Sequence, residues 1–340
     1  MSGRQINVWD LDDSSSRSDP VLAEFAAGDY LLPRHPSLFT RWAISRARME
    51  ARLERHTPDG PRGIRRWEMF DNALRKFGWG LWCAGVYERG MRNALDVRVN
   101  RIELAFDNLP AAFDGYTVLH LADLHIDALP ALPERLRALL APEPVDLCVM
   151  TGDYRFKKRG PFAHVIDRIG SVLEAVDAAD GVLATLGNHD SVEMVEPFET
   201  IGVRVLANET TTIARKGGAI SITGVDDVHY YFTDHAHHAL AAAPEGFRIG
   251  LVHSPEFAQA AAESGVSLYL TGHTHGGQVC LPGGRPFIRN LTRHREYCSG
   301  LWRHGEMVGY TSMGAGVSGL PVRYNSRGEV TLFVLRSATD

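Results

Sequence analysis

Cysteine is scarce in this chain: four among 340 residues, at Cys83, Cys148, Cys280 and Cys298, with no C-x-x-C pair. That spacing excludes a disulfide-held scaffold, argues against a thiolate zinc site and fits a reducing compartment. Long hydrophobic runs are also missing. The longest uncharged apolar stretch, Phe77 to Tyr87, falls far short of the roughly 20 residues that a bilayer-spanning helix needs. The first twenty residues carry Asp10, Asp12, Asp13 and a serine run where a signal peptide would have an apolar segment. A cytoplasmic chain is the expectation. Nor is there an excess of positive charge: 36 Lys and Arg stand against 41 Asp and Glu, a net −5, which disfavours a general nucleic-acid binder. What is present is the balance of a globular protein, 44% hydrophobic and 23% charged, long enough for one large α/β domain with an appendage, together with 15 histidines.

Two regions differ in texture. Residues 1–95 read as an acidic tail followed by an amphipathic helical arm. In that arm Trp67, Phe70, Leu74, Phe77 and Leu81 recur at spacings of three and four, and Arg41, Arg46, Arg48, Arg52 and Arg55 populate the polar side. The arginines are expected to form a solvated face, and with Trp42, Trp67, Trp79 and Trp82 such an arm could also lie against an anionic membrane surface. From residue 96 to 340, short apolar runs alternate with helical stretches. VRVNRIELAF, TVLHLA, DLCVMT, VLATL, VRVL, AISIT, FRIGLV, VSLYLT and EVTLFVL read as strands, and helices are expected near 161–179, 192–200, 234–242 and 255–263. Strands alternating with helices predict a layered α/β domain.

The histidines gather where these strands end. TVLHLA is followed by Asp123 and His125, DLCVMT by Asp153, VLATL by Asn188 and His189, FRIGLV by His253, and VSLYLT by His273 and His275. Open α/β sheets place their sites at the carboxyl ends of strands. Leaving His189 aside, these residues offer two aspartates, one asparagine and four histidines. That is too many donors for one tetrahedral zinc and suits two divalent cations sharing a carboxylate. Oxygen and imidazole donors without thiolate point to manganese, iron or zinc. A histidine beside such a set is suited to protonate a leaving oxygen.

In this order D-x-H, GD, GNHD, a lone His and GHTH resemble the signature of the calcineurin-like metallophosphoesterases, over roughly Tyr116 to Val334. The longer strings LVHSPEF, LTGHTHGGQVCLPGG, Gly224–Asp227 and Gly314 to Arg323 are similar to the YkuE-type branch, which includes proteins that cleave the pyrophosphate of a lipid A precursor. The resemblance implies a four-layer αββα sandwich. It implies a first metal on Asp123, His125 and His275, a second on Asn188, His253 and His273, Asp153 as the bridge, and His189 as the residue that stabilises the transition state and protonates the leaving group. Many relatives carry a further carboxylate shortly after the GD motif. Here the sequence is Tyr154-Arg155-Phe156-Lys157-Lys158, so the group that orients His189 stays open.

The expected activity is hydrolysis of a phosphodiester or pyrophosphate bond with two divalent cations, manganese first, on a phosphorylated small molecule or a nucleotide-linked lipid. Arg155 and Arg323 are candidate substrate contacts, since a guanidinium forks onto phosphate oxygens. A phosphomonoesterase and a cyclic-nucleotide or nucleic-acid phosphodiesterase are the same-fold alternatives. A non-catalytic protein-binding scaffold is the alternative of another class. The run from His229 to His238 lacks a strand-end position and reads as a surface loop or helix, and His120, inside a strand, as a core histidine.

Overall fold

The computed structural model describes residues 36–338, apart from 53–54, 59, 63–66 and 142–143. The expected acidic tail lies outside the described residues. In chain order the elements are α1 (Pro36–Arg52), β1 (Arg55–Thr57), β2 (Gly60–Arg62), α2 (Trp67–Cys83), α3 (Tyr87–Ala94), β3 (Arg98–Phe106), β4 (Thr117–Leu121), α4 (Leu132–Leu140), β5 (Leu147–Thr151), α5 (Ala163–Leu173), β6 (Val182–Thr185), α6 (Val195–Thr200) and β7 (Val203–Val205). They continue with β8 (Glu209–Arg215), β9 (Gly218–Val225), α7 (His235–Ala241), β10 (Phe247–Val252), α8 (Ala258–Glu263), β11 (Leu268–Thr271), β12 (Cys280–Leu281), β13 (Arg285–Pro286), β14 (Gly300–His304), β15 (Met307–Thr311) and β16 (Glu329–Ser337).

Two six-stranded sheets form the body, in the orders β3-β16-β4-β5-β6-β7 and β14-β15-β11-β10-β9-β8. Strands β4 to β7 run parallel, as do β9, β10, β11 and β15, and antiparallel β16, β8 and β14 are added around them. Side chains alternate across each strand, and the burial shows where each face goes. In β5, Leu147 and Val149 face the second sheet, packing with Ile220, Ile249, Leu270 and Phe333. Cys148 and Met150 face the other way, toward Leu136 of α4, Ile169 of α5 and Phe198 of α6. On the far side of the second sheet, Val252 and Tyr269 pack against Leu240 of α7 and Ala258 and Ala261 of α8. The result is four layers, helix, sheet, sheet, helix. Strands covered on both faces read as continuous apolar runs, which is why TVLHL, LCVMT and FRIGLV carry so little polarity.

The helices follow the same logic. Leu132, Leu136 and Leu140 of α4, and Val165, Ile166, Ile169 and Val172 of α5, are buried at helical spacing. Helix α1 buries Trp42, Arg46 and Met49, again one face, while Arg41, Arg48 and Arg52 are exposed. The solvated arginine face holds at Arg41, Arg48 and Arg52, whereas Arg46 is fully buried and Arg55, half-buried, donates to the His229 carbonyl. Trp42 joins the core on the outer face of the first sheet. On α2, Phe77, Trp79 and Trp82 stand exposed. No described helix is long and apolar enough to cross a membrane.

Candidate metal centre

Strands β4, β5, β6, β10 and β11 end at one edge, and the residues that follow them meet there. Asp123, His125, Asp153, Asn188, His253, His273 and His275 are all buried, and His189 keeps about a tenth of its side chain open. The backbone bends sharply to bring them in. Asp123, His125, Asp153, His273 and His275 sit at positive φ, from 35° to 73°, a region that costs a non-glycine residue roughly 1–3 kcal/mol and concentrates at functional sites. Gly152, at φ 88°, lets the β5 turn approach the β6 turn. A Cβ there would stand 2.4 Å from the Gly187 nitrogen.

Backbone carbonyls fix the rings. Nδ1 of His125 donates to the Arg155 carbonyl at 2.7 Å, Nδ1 of His253 to Thr151 at 2.8 Å, and Nδ1 of His189 to Phe156 at 2.7 Å. Nε2 of His273 lies 3.2 Å from the Asn290 carbonyl. Each ring thereby turns its other nitrogen, as a lone pair, into the site. These nitrogens crowd together: His125 Nε2 lies 3.2 Å from His275 Nε2, and His253 Nε2 lies 3.2 Å from His273 Nδ1 and 3.1 Å from Asn188 Oδ1. Asp153 stands among them, Oδ2 3.5 Å from His125 Nε2 and Oδ1 3.5 Å from His253 Nε2. Asp123 Oδ1 is 3.8 Å from His275 Nε2.

Two buried carboxylates, each met by only one backbone N–H, from His273 to Asp123 and from His189 to Asp153, stand among converging imidazole nitrogens, an arrangement suited to a cation. Asp123, His125 and His275 form one group whose ligand atoms converge tightly enough to hold a metal ion, and Asp123, Asp153 and His253 form another. The electrostatics agree. Burial, reinforced by the Asp153 charge, pushes Asp123 up to about 7. Burial disfavours the His253 imidazolium, yet Asp153 and Asp123 outweigh it and push that pKa up to about 10. The negative field of Asp153 and Asp123 at His253 also favours a metal cation there. The donor set fits divalent metal.

Asp190 ties the turns together. Its carboxylate accepts the N–H groups of Asp153 (2.7 Å), Tyr154 (2.9 Å) and Gly187 (2.7 Å). The group that orients His189 is the Phe156 carbonyl rather than a carboxylate. Arg155 is buried and donates to the carbonyls of His189 (2.6 Å), Lys158 (2.5 Å) and Gly160 (3.2 Å). Arg323, fully buried, donates to Met313 (2.6 Å), Gly314 (3.0 Å), Gly316 (2.7 Å) and His275 (3.3 Å). Both guanidiniums thus hold the loops that carry site residues.

His229 departs from the surface reading. It is buried, its ring centre lies 4.1 Å from that of His273, and it pairs with Glu256. Burial alone would raise the Glu256 carboxyl, but the hydrogen bond with His229 and those from Thr292 pull it down to about 2. His120 is the core histidine expected, bonded to Thr151 Oγ1 at 2.9 Å.

The family model described as calcineurin-like phosphoesterase matches residues 116–277. The uncharacterized metallophosphoesterase YkoQ of Bacillus subtilis (strain 168) is 32% identical over 255 residues, covering 71% of this chain and 91% of the relative. The chain belongs to the calcineurin-like metallophosphoesterases. This metallophosphoesterase is also 29% identical to YkuE of the same organism, over 67% of the chain and 82% of that protein. It is 30% identical to the phosphodiesterase YaeI of Escherichia coli (strain K12), over 69% of the chain and 87% of that protein. Among solved structures, a phosphopantetheinyl hydrolase of Mycobacterium tuberculosis matches at 11% identity and a TM-score of 0.39, over 60% of the chain and 91% of its own. The chain is a metal-dependent hydrolase of phosphoester bonds.

Proposed function

We propose that this metallophosphoesterase holds two divalent cations and hydrolyses a phosphodiester or pyrophosphate bond. Asp123, His125 and His275 would hold one cation, Asn188, His253 and His273 the other, with Asp153 shared. The observation that supports this reading is the position of Asp153, whose two carboxylate oxygens face different ligand groups, each 3.5 Å from a histidine nitrogen. The donor types suit manganese, iron or zinc and do not choose among them. Bound cations would supply Lewis-acid polarisation of the phosphoryl oxygens and lower the pKa of the attacking water.

The chain's own residues do the rest. Asn188 and the histidines orient the donor set, and the surrounding burial excludes bulk water. His189 is fixed through Nδ1, so that Nε2 points into the site, 4.0 Å from Asp153 Oδ2. From there it holds a proton for the leaving oxygen. Burial drives the free imidazole down to about 3. A negatively charged phosphoryl group beside Nε2 favours the protonated form. Arg155 and Arg323 are assigned to holding the loops, since backbone carbonyls take Nε and both terminal nitrogens of Arg155 and both terminal nitrogens of Arg323.

A lipid-linked substrate met at the inner membrane face is supported by α2, where Trp79 is 69% and Trp82 68% exposed beside exposed Arg75 and Lys76. The name phosphodiesterase carried by YaeI supports a diester over a monoester. The deciding experiment is turnover of bis-p-nitrophenyl phosphate, p-nitrophenyl phosphate and a nucleotide-diphosphate lipid under manganese, iron or zinc, with Asn188→Ala and His189→Ala alongside. The diester and the pyrophosphate should be cleaved faster than the monoester, and both variants should lose at least about 100-fold in kcat. Preference for the monoester would refute the substrate class. Equal vesicle binding by the wild type and by Trp79→Ser/Trp82→Ser would refute the membrane contact.

A further inference from the structure

Helix α1 lies outside the residues matched by the family model, yet it reaches the turn that carries Asn188 and His189. Arg46 is the point of contact. Its Nη2 donates to the Gly187 carbonyl at 3.0 Å and the Asp190 carbonyl at 2.9 Å, the two carbonyls that bracket Asn188 and His189. Nη1 pairs with Asp226 and Nε donates to Glu50 at 2.7 Å. Around it, Trp42 Nε1 donates to the second Asp226 oxygen at 2.7 Å, and the Tyr231 ring lies 3.7 Å from the guanidinium carbon. Glu50 in turn accepts the Val192 N–H at 3.0 Å, just past the same turn. A charged group is not buried for packing. Burial costs a cation its hydration, and that cost is met only when every donor finds a well-placed acceptor. Here two acceptors are supplied by one turn, and only a planar fork can reach both while holding Asp226.

We propose that Arg46 is a positioning residue that sets the placement of Asn188 and His189, making α1 a working part of the reaction site. The proposal rests on the assignment of Asn188 and His189 to that site. Arg46 touches neither substrate nor metal. It acts by holding the carbonyl ends of the turn while Asp190 holds its amide side.

The test compares Arg46→Lys with Met49→Ala, a substitution at a buried apolar position of the same helix. Lysine keeps the charge, but its single nitrogen cannot donate to both carbonyls, which Nη2 alone serves, and also hold Asp226 and Glu50, which Nη1 and Nε serve. Arg46→Lys is expected to lower kcat about 100-fold, the cost of an ångström-scale misplacement, with KM within about twofold of wild type. In metal-free protein, amide exchange at 187–192 should speed up about tenfold or more while β4, β5 and β10 stay protected. Met49→Ala should melt earlier and keep its kcat. Wild-type kcat in Arg46→Lys, or unchanged exchange at 187–192, would overturn the proposal. So would loss of folded protein with exchange rising evenly over both sheets, which would make Arg46 a fold-stabilising residue only. If the wild type cleaves no phosphoester, the functional reading falls, but the exchange pattern still decides the role of Arg46.

Discussion

Gly187 offers the sharpest perturbation of the site. Its φ is outside the left-handed region, so alanine is permitted by the backbone, and the whole penalty comes from contact. A Cβ there would stand 2.3 Å from Asp153 Oδ1, 2.5 Å from the Asp153 nitrogen and 2.9 Å from His253 Cε1. Reaching ordinary van der Waals separation requires the β5 and β6 turns to part by about 1 Å. Overpacking of this kind costs roughly 1–3 kcal/mol in stability, a few degrees in melting temperature for a domain of this size. The larger effect falls on chemistry. Asp153 faces both ligand groups, so moving its carboxylate weakens both at once, and a 1 Å misplacement costs about 100-fold in kcat. The assay is turnover of a chromogenic phosphodiester, with metal content measured by inductively coupled plasma mass spectrometry. Gly80→Ala, in α2 with nothing within 4 Å of the added carbon, is the comparison and should leave activity intact. Wild-type kcat and full metal content in Gly187→Ala would refute the packing argument.

Three further outcomes follow from the same structure. Burial lowers His120 to about 3, against an ordinary value near 6.5. The unfolded chain therefore binds more protons between about pH 6.5 and 3, and stability falls as pH drops through that window by about 1.4 kcal/mol per pH unit from this group. His120→Gln should flatten the slope of unfolding free energy against pH by that amount, and an unchanged slope would contradict the assignment. Chelation should lower the melting temperature, with manganese restoring it, because an ion at 100 times its Kd stabilises by about 2.7 kcal/mol; a melt indifferent to chelator would argue against a structural contribution from metal. Arg323→Lys should cut stability by about 2–4 kcal/mol through lost bonds to the Gly314 and Gly316 loop, lowering kcat rather than raising KM. A raised KM at unchanged kcat would instead mark Arg323 as a substrate contact.

The site was legible because its chemistry is written at strand ends. Runs such as LCVMT and VLAT announce strands covered on both faces, and the Asp, Asn and His residues beyond them are brought together by parallel pairing of β4, β5 and β6 and of β10 and β11. Edge strands were less legible. In β14, Leu301 and Arg303 face solvent and Trp302 faces the core, between Gly300 and Gly305. So short an alternation carries little periodic signal. Helix α4 is short and follows a proline-rich stretch, which hides its Leu132, Leu136 and Leu140 spacing. The orientation of His189 had no sequence signal at all, because every residue has a carbonyl and only folding selects that of Phe156. Arg46 was the least legible residue of the site's surroundings. Charge pattern alone places an arginine outside, and its partners Gly187, Asp190 and Asp226 lie 141 to 180 positions away. Its spacing with Trp42 and Met49 was the available clue.

One carboxylate, that of Asp153, is proposed to join two cation sites. Anomalous diffraction at the manganese edge from manganese-loaded crystals tests it directly. Two peaks per chain are expected, roughly 3.5–4 Å apart, one beside Asp123, His125 and His275, the other beside Asn188, His253 and His273, with Asp153 between them. A single peak, or two peaks that do not share Asp153, would contradict it.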